Sequence, residues 1–265
     1  MVPGPDPATA AFPGRNGRIA FVRTTGGGEN GAPARSTLYL VNPDGGGLKR
    51  LAVGTSPLTW SPDGRRLLFE RFAGGEYDLY LINADGTGVR RRLARNAYSG
   101  SWSPDGTTIV FAAGTGGKYS IYRMRIDGSR LRKLVENASA PALSPDGKEL
   151  AFGRGSGIYV ARADGSHARR IAEGNSIPDW SPDGRLLVFM RGSRITIARA
   201  DGSGEQGFVP RGRAGSPSWS PDGQRILFGL DARAIWVSSS NGSGQRKLFG
   251  SSLYASNAPA WQPLR

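Results

Sequence analysis

Along this chain, short runs with an apolar residue at about every second position alternate with clusters of Gly, Pro, Ser and Asp, and the alternation keeps a fixed beat. The runs RRLLFERF, TTIVFAAG, KELAFGR, RLLVFMR and QRILFGL read as half-buried or fully buried strands. Each is followed by a second strand that ends in a glycine turn: YDLYLINADG, SIYRMRIDG, GIYVARADG, RITIARADG and AIWVSSSNG. A third strand is basic and apolar by turns, as in VRRRLAR, RLRKLVE, HARRIAE and QRKLFG, with EQGFVPR a degenerate copy. A short segment (PLTW, SGSW, APAL, IPDW, SPSW) then leads to the next turn, so the pattern predicts units of four strands.

The turn between units is itself repeated. WSPDG occurs at Trp60–Gly64, Trp102–Gly106, Trp180–Gly184 and Trp219–Gly223, and LSPDG at Leu143–Gly147. The serines at 61, 103, 144, 181 and 220 are separated by 42, 41, 37 and 39 residues, the period of a propeller blade. Near the start, RIAFVR, TLYLVNPDG and LKRLAVG supply three strands of a unit that lacks its first, and APAWQP at 258–263 is a first strand with no unit after it. Pairing the last strand into the first unit closes a ring and removes two sheet edges. The predicted fold is all-β, a six-bladed propeller of four-stranded antiparallel blades. Residues 1–11 are expected to form a flexible leader and 12–265 one propeller domain, with units near 12–57, 58–99, 100–139, 140–176, 177–215 and 216–257.

In S-P-D-G, proline presets φ, aspartate bonds nearby backbone N–H groups and glycine accepts a positive φ, which is a type I turn closing with a glycine bulge. Asp63, Asp105, Asp146, Asp183 and Asp222, with Gly64, Gly106, Gly147, Gly184 and Gly223, are therefore assigned to turn structure. Trp60, Trp102, Trp180, Trp219 and Trp261 are expected to wedge adjacent blades apart. A calcium loop would need six to eight oxygens on one ion, and no turn carries closely spaced Asp-x-Asp ligands. No metal or cofactor is implied.

These residues carry a family resemblance. The recurrent WSPDG, the apolar strand after it and the IY or LY strand with its DG turn resemble the TolB-type propellers, relatives of the WD-repeat proteins, over residues 12–263. No counterpart of the α/β domain that precedes the propeller in TolB is expected here. The resemblance implies a periplasmic or cell-envelope setting and a protein-binding role. The opening MVPGPDPATAAF has neither a basic n-region nor an apolar h-region.

Composition changes the picture in three places. The 265 residues, 38% of them hydrophobic, suffice for one sizeable core. With no cysteine, disulfides, thiolate metal sites and thiol nucleophiles are excluded, and no apolar run reaches the length of a membrane span. The net charge of +14 raises nucleic acid as a partner, but 13 of the 35 Lys and Arg fall on predicted outermost strands, where basic residues guard sheet edges. A nucleic-acid groove concentrates its cations beside stacking aromatics, so the distribution argues against it.

Candidate chemistry follows from topology. The SPDG and DG turns fall on one face, and the irregular two-to-three and four-to-one connections fall on the other. Binding residues concentrate on irregular loops held by a rigid scaffold. That loop face receives Arg35, Arg71, Tyr98, Arg191, Arg194, Arg211, Arg213, Arg233 and Tyr254, with Asp179 placed in the channel wall as its only ionised side chain. The sole histidine, His167, lies on the turn face, and there is no G-x-S-x-G elbow, so a Ser-His-Asp hydrolase is not supported. The leading expectation is a monomeric, non-enzymatic binding propeller that holds a protein or peptide partner, acidic in character, at the loop face and channel mouth. A carbohydrate-binding protein or enzyme acting on an anionic saccharide is the alternative, and a solvated rim of mixed charge the plainest reading.

Overall fold

The computed structural model describes residues 13–25, 35–53, 56–73, 76–87, 91–174, 178–231, 233–250, 254–255 and 259–264, and among these every regular element is a β-strand. Blade 1 contains β1 (Arg15–Thr25), β2 (Arg35–Val41) and β3 (Lys49–Val53). Blade 2 runs through β4 (Ser56–Trp60), β5 (Arg66–Ala73), β6 (Glu76–Asn83) and β7 (Arg91–Ala94). Blade 3 comprises β8 (Ala97–Trp102), β9 (Thr108–Thr115), β10 (Lys118–Arg125) and β11 (Arg132–Glu136). Blade 4 comprises β12 (Ser139–Leu143), β13 (Glu149–Arg154), β14 (Gly157–Arg162) and β15 (Arg169–Glu173). Blade 5 has β16 (Asp179–Trp180), β17 (Leu186–Arg191), β18 (Arg194–Arg199) and the short β19 (Gln206–Phe208). Blade 6 has β20 (Ala214–Trp219), β21 (Arg225–Leu230), β22 (Ala234–Ser239) and β23 (Arg246–Gly250).

Each blade is antiparallel in sequence order, and the ring closes in the first. The closing strand comes in two pieces: β24 (Tyr254–Ala255) pairs with Thr24 and Arg23, and β25 (Ala260–Leu264) pairs with Arg15, Asn16, Ile19 and Ala20. The innermost position of blade 1 is thus filled from the far end of the sequence.

The core lies between blades rather than within them. Ala20, Leu38 and Leu40 of blade 1 pack with Trp60, Leu67 and Phe69 of blade 2, and Val188 and Ile195 of blade 5 pack with Trp219 and Phe228 of blade 6. One phenylalanine per blade, at 21, 69, 111, 152, 189 and 228, is fully or almost fully buried. Four of these face a tyrosine on the next strand, with ring centroids 5.6 Å apart for Phe69–Tyr80 and Phe152–Tyr159, 5.9 Å for Phe21–Tyr39 and 6.0 Å for Phe111–Tyr122. The tryptophans add polar links. Trp60, Trp102 and Trp180 donate their indole N–H to the carbonyls of Ala260, Thr59 and Ala142 in the preceding blade. Trp261 donates to Gly17 within its own blade, while Trp219 Nε1 is buried and finds no partner among the described residues.

Each S-P-D-G turn is a closed hydrogen-bond unit. In blade 2 the Ser61 hydroxyl donates to Asp63, whose carboxylate accepts the Arg65 N–H at 3.0 Å, while Ser61 Oγ accepts the Arg66 N–H at 2.9 Å. The glycine must hold positive φ: +66° at Gly64 and +70° at Gly223. Space differs between the two. A Cβ on Gly64 would stand 2.2 Å from the Pro263 carbonyl oxygen of the closing strand, but 3.6 Å from the nearest atom on Gly223. Gly223→Ala should cost about 1–2 kcal/mol from the left-handed backbone. Gly64→Ala should cost clearly more, since backbone must move, and comparing the two urea midpoints checks this.

Candidate functional site

The innermost strands share a defect that shapes the channel-facing layer. Their pairing with the second strand slips between Tyr98 and Ser101, Ser139 and Ala142, and Gly215 and Ser218, and Ser99, Ala140 and Ser216 adopt φ of 50°, 52° and 39°. A bulge of this kind leaves the extra residue outside the ladder. In blade 3 the freed Ser99 N–H is taken by Glu70 Oε1 of blade 2 at 2.9 Å. Glu70 is only 8% exposed, and burial pushes its carboxyl up to about 7 despite the stabilising Ser99 N–H.

Glu70 stands where the register of the other blades places Val22, Ala112, Gly153, Met190 and Gly229. A carboxylate in a column of apolar or small residues is the signal that the sequence reading passed over. Asp179 is therefore joined by a second buried acid. Beside Glu70, Tyr98 is half-buried, meets Tyr119 edge-on at 4.8 Å and hydrogen-bonds the Ser139 side chain of blade 4. Burial and the neighbouring Tyr119 and Glu70 raise its hydroxyl well above the usual phenol range.

Asp179 stands on β16, three blades from Glu70. It keeps some open surface, but its carboxyl is enclosed, and Oδ2 accepts the Trp219 N–H of blade 6 at 2.8 Å. Burial raises its carboxyl to about 7, partly offset by the N–H groups of Trp219 and Trp180. Burial thus favours the protonated form of this carboxyl over the charged one. Each acid bonds to the next blade, so both serve the ring before any ligand.

The arginines divide into two sets. Arg191 donates to the Glu173 carbonyl at 3.2 Å and forms an ion pair with Glu205 at 2.6 Å, while Arg194 donates to the Gly207 carbonyl at 3.0 Å. Both fasten the three-residue β19, whose sequence lacks the basic-apolar alternation of the other outer strands. Arg211, Arg213 and Arg233 are exposed and, among the described residues, make no ion pair. They come together with Lys247 around a cavity of about 780 Å³ on blade 6, whose lining also includes Trp236 and Leu230. The loop carrying Arg211 and Arg213 is pinned: the Asp231 N–H donates to the Arg213 carbonyl and the Arg213 N–H to Asp231 Oδ1, both at 2.8 Å.

Elsewhere on this face Arg71 is exposed near the tip of the β5–β6 hairpin, beside Phe72 and Tyr77, which are 51% and 43% exposed with ring centroids 4.9 Å apart. Arg35 and Tyr254 belong to paired strands, but their side chains lie outside the described residues.

Six four-stranded blades, five of them with S-P-D-G turns on one face, and irregular, arginine-bearing loops on the other face define a WD-like β-propeller. The chain belongs to the family described as the TolB beta propeller domain, whose profile matches residues 10–265. It is similar in fold to the crystal structure of TolB from Acinetobacter baumannii, with a TM-score of 0.77 and 24% identity over 93% of this chain and 67% of that one. A propeller in a nidogen/laminin complex matches with a TM-score of 0.73 and 12% identity over 93% and 98% of the two chains. Hydrazine synthase of Kuenenia stuttgartiensis matches with a TM-score of 0.73 and 17% identity over 94% of this chain and 47% of that one. A search of curated proteins finds no match. Among the described residues no helix is long and apolar enough to cross a membrane.

Proposed function

We propose that this propeller is a non-enzymatic module of the cell envelope that holds a protein partner against its loop face. The observation that carries the reading is the Phe72–Tyr77 pair, the most exposed aromatic side chains among the described residues, at a hairpin tip on that face. Exposed aromatic side chains are among those that protein interfaces favour. The rigid ring beneath them limits the ordering cost of binding. The periplasmic setting rests on family membership.

A photo-crosslinker placed at Phe72 in cells is expected to trap a defined partner, whereas one at Lys148 on the turn face traps none. Substituting both Phe72 and Tyr77 by alanine should lower capture at a neighbouring loop-face crosslinker at least tenfold while leaving the urea midpoint nearly unchanged, because both rings are substantially exposed. Capture from Lys148 alone, or undiminished capture by the double variant, would overturn the choice of face.

A further inference from the structure

We infer that the cavity on blade 6 is a pocket for an acidic peptide segment, binding adjacent Asp or Glu carboxylates on Arg211, Arg213 and Arg233 and laying an apolar side chain over Trp236. The inference rests on the reading that the loop face meets a protein, and it names a separate subsite on that face.

Charge is the first argument. Among the described residues the lining holds four cations, Arg211, Arg213, Arg233 and Lys247, against one carboxylate, Asp231. Asp231 Oδ1 already accepts the Arg213 N–H at 2.8 Å. Guanidinium groups present paired N–H donors that match a carboxylate.

The second argument is preorganisation. The two hydrogen bonds between Arg213 and Asp231 fix the loop against the β21–β22 hairpin. The Gly212 N–H closes a further tight turn onto the Pro210 carbonyl at 2.9 Å. The backbone that presents Arg211 and Arg213 is therefore set before a ligand arrives, which lowers the cost of binding.

The lining also decides between ligand classes. Among the described residues it contains no serine, threonine, asparagine, glutamine or tyrosine, the neutral side chains that would read the hydroxyls of an uncharged saccharide, only charge and the apolar surface of Trp236, Leu230 and two alanines. Among the same residues it offers one aromatic side chain rather than the series on which successive bases stack in single-stranded nucleic acid. Val209, 60% exposed and next to buried Pro210, extends the apolar surface along the loop that enters the cavity. The volume of about 780 Å³ falls inside the roughly 300–1,000 Å³ of ligand pockets.

The test is fluorescence anisotropy with a labelled peptide alternating Glu with Leu, titrated with the whole protein. Binding should weaken at least tenfold in the Arg211→Glu/Arg213→Glu variant and several-fold in Arg233→Gln. It should be lost when the peptide's Glu residues become Gln, and it should weaken as salt is raised. Lys148→Glu, on the opposite turn face, should leave it unchanged, and circular dichroism establishes that each variant is folded. Equal binding of the Gln peptide, equal binding by the Arg211/Arg213 variant, or a uronate oligosaccharide competing better than the Glu peptide would each overturn the inference. If the Glu peptide does not bind while crosslinking from Phe72 still traps a partner, this subsite is refuted and the loop-face reading survives.

Discussion

Ending the chain after Pro259 should abolish cooperative unfolding in urea and leave a species that binds hydrophobic dye and aggregates. The missing segment supplies Trp261, whose indole donates to Gly17, and Ala260, whose carbonyl receives Trp60 Nε1. It also carries Gln262, whose amide reaches the Gly64 carbonyl at 2.7 Å across the blade 1–blade 2 junction. Deleting one large buried aromatic costs about 3–5 kcal/mol, and a typical domain holds only about 5–15 kcal/mol in total. Without the strand, β1 becomes an open edge along Arg15 to Ala20, a template for pairing with other chains. Trp261→Ala provides the graded comparison: the strand and its ladder remain, so cooperative unfolding should persist with stability lowered by about 3–5 kcal/mol. A truncated protein that unfolds with the wild-type midpoint and slope would show that the ring does not depend on this strand.

Glu70→Gln should stabilise the protein at pH 8 and change it little at pH 5. Burial raises the Glu70 carboxyl from its ordinary 4.5 to about 7. Between those values the folded protein keeps a proton that the unfolded chain has released, so stability falls as pH rises, by up to about 1.4 kcal/mol per pH unit, and levels off above the folded value. Glutamine retains the oxygen that accepts the Ser99 N–H and has no charge to desolvate, so the gain at pH 8 should be on the order of 3 kcal/mol. Asp179→Asn should act in the same direction, because burial raises that enclosed carboxyl from its ordinary 3.8 to about 7.

The turn aspartates set the opposite limb. At Asp63, Asp105 and Asp146 burial raises the carboxyl, but the neighbouring serine hydroxyl, a backbone N–H and nearby cations together outweigh it and hold each below 3.8. Their contribution is present above that ordinary value and is lost as pH falls through the lower folded values. Urea midpoints should accordingly peak at mildly acidic pH. A profile unchanged by Glu70→Gln between pH 5 and 8 would overturn this account.

The architecture was readable because propeller repeats are local: S-P-D-G carries its own turn chemistry, and five copies at blade spacing leave few folds open. The closing strand could be inferred from a unit short of its first strand at one end and a strand left over at the other. Glu70 was readable in principle, since aligning the units places it among Val22, Ala112, Gly153, Met190 and Gly229, yet by itself RRLLFERF looks like an ordinary strand. What Arg191 and Arg194 do was not readable, because their partners include main-chain carbonyls that every sequence possesses. The blade 6 cavity was legible only as a list of arginines. Its shape depends on a connection and a hairpin that are not repeated and that meet through Asp231.

Blade 1 also sets an order on the protein's assembly. The Arg18 N–H waits for the Gln262 side chain, 244 residues later in the chain. During synthesis, blades 2 to 6 can form as hairpins once their own residues have emerged, but β1 stays without its inner neighbour until β25 has appeared. A chain stalled before residue 260 would display an unfilled strand position, which marks an unfinished molecule to a chaperone or protease.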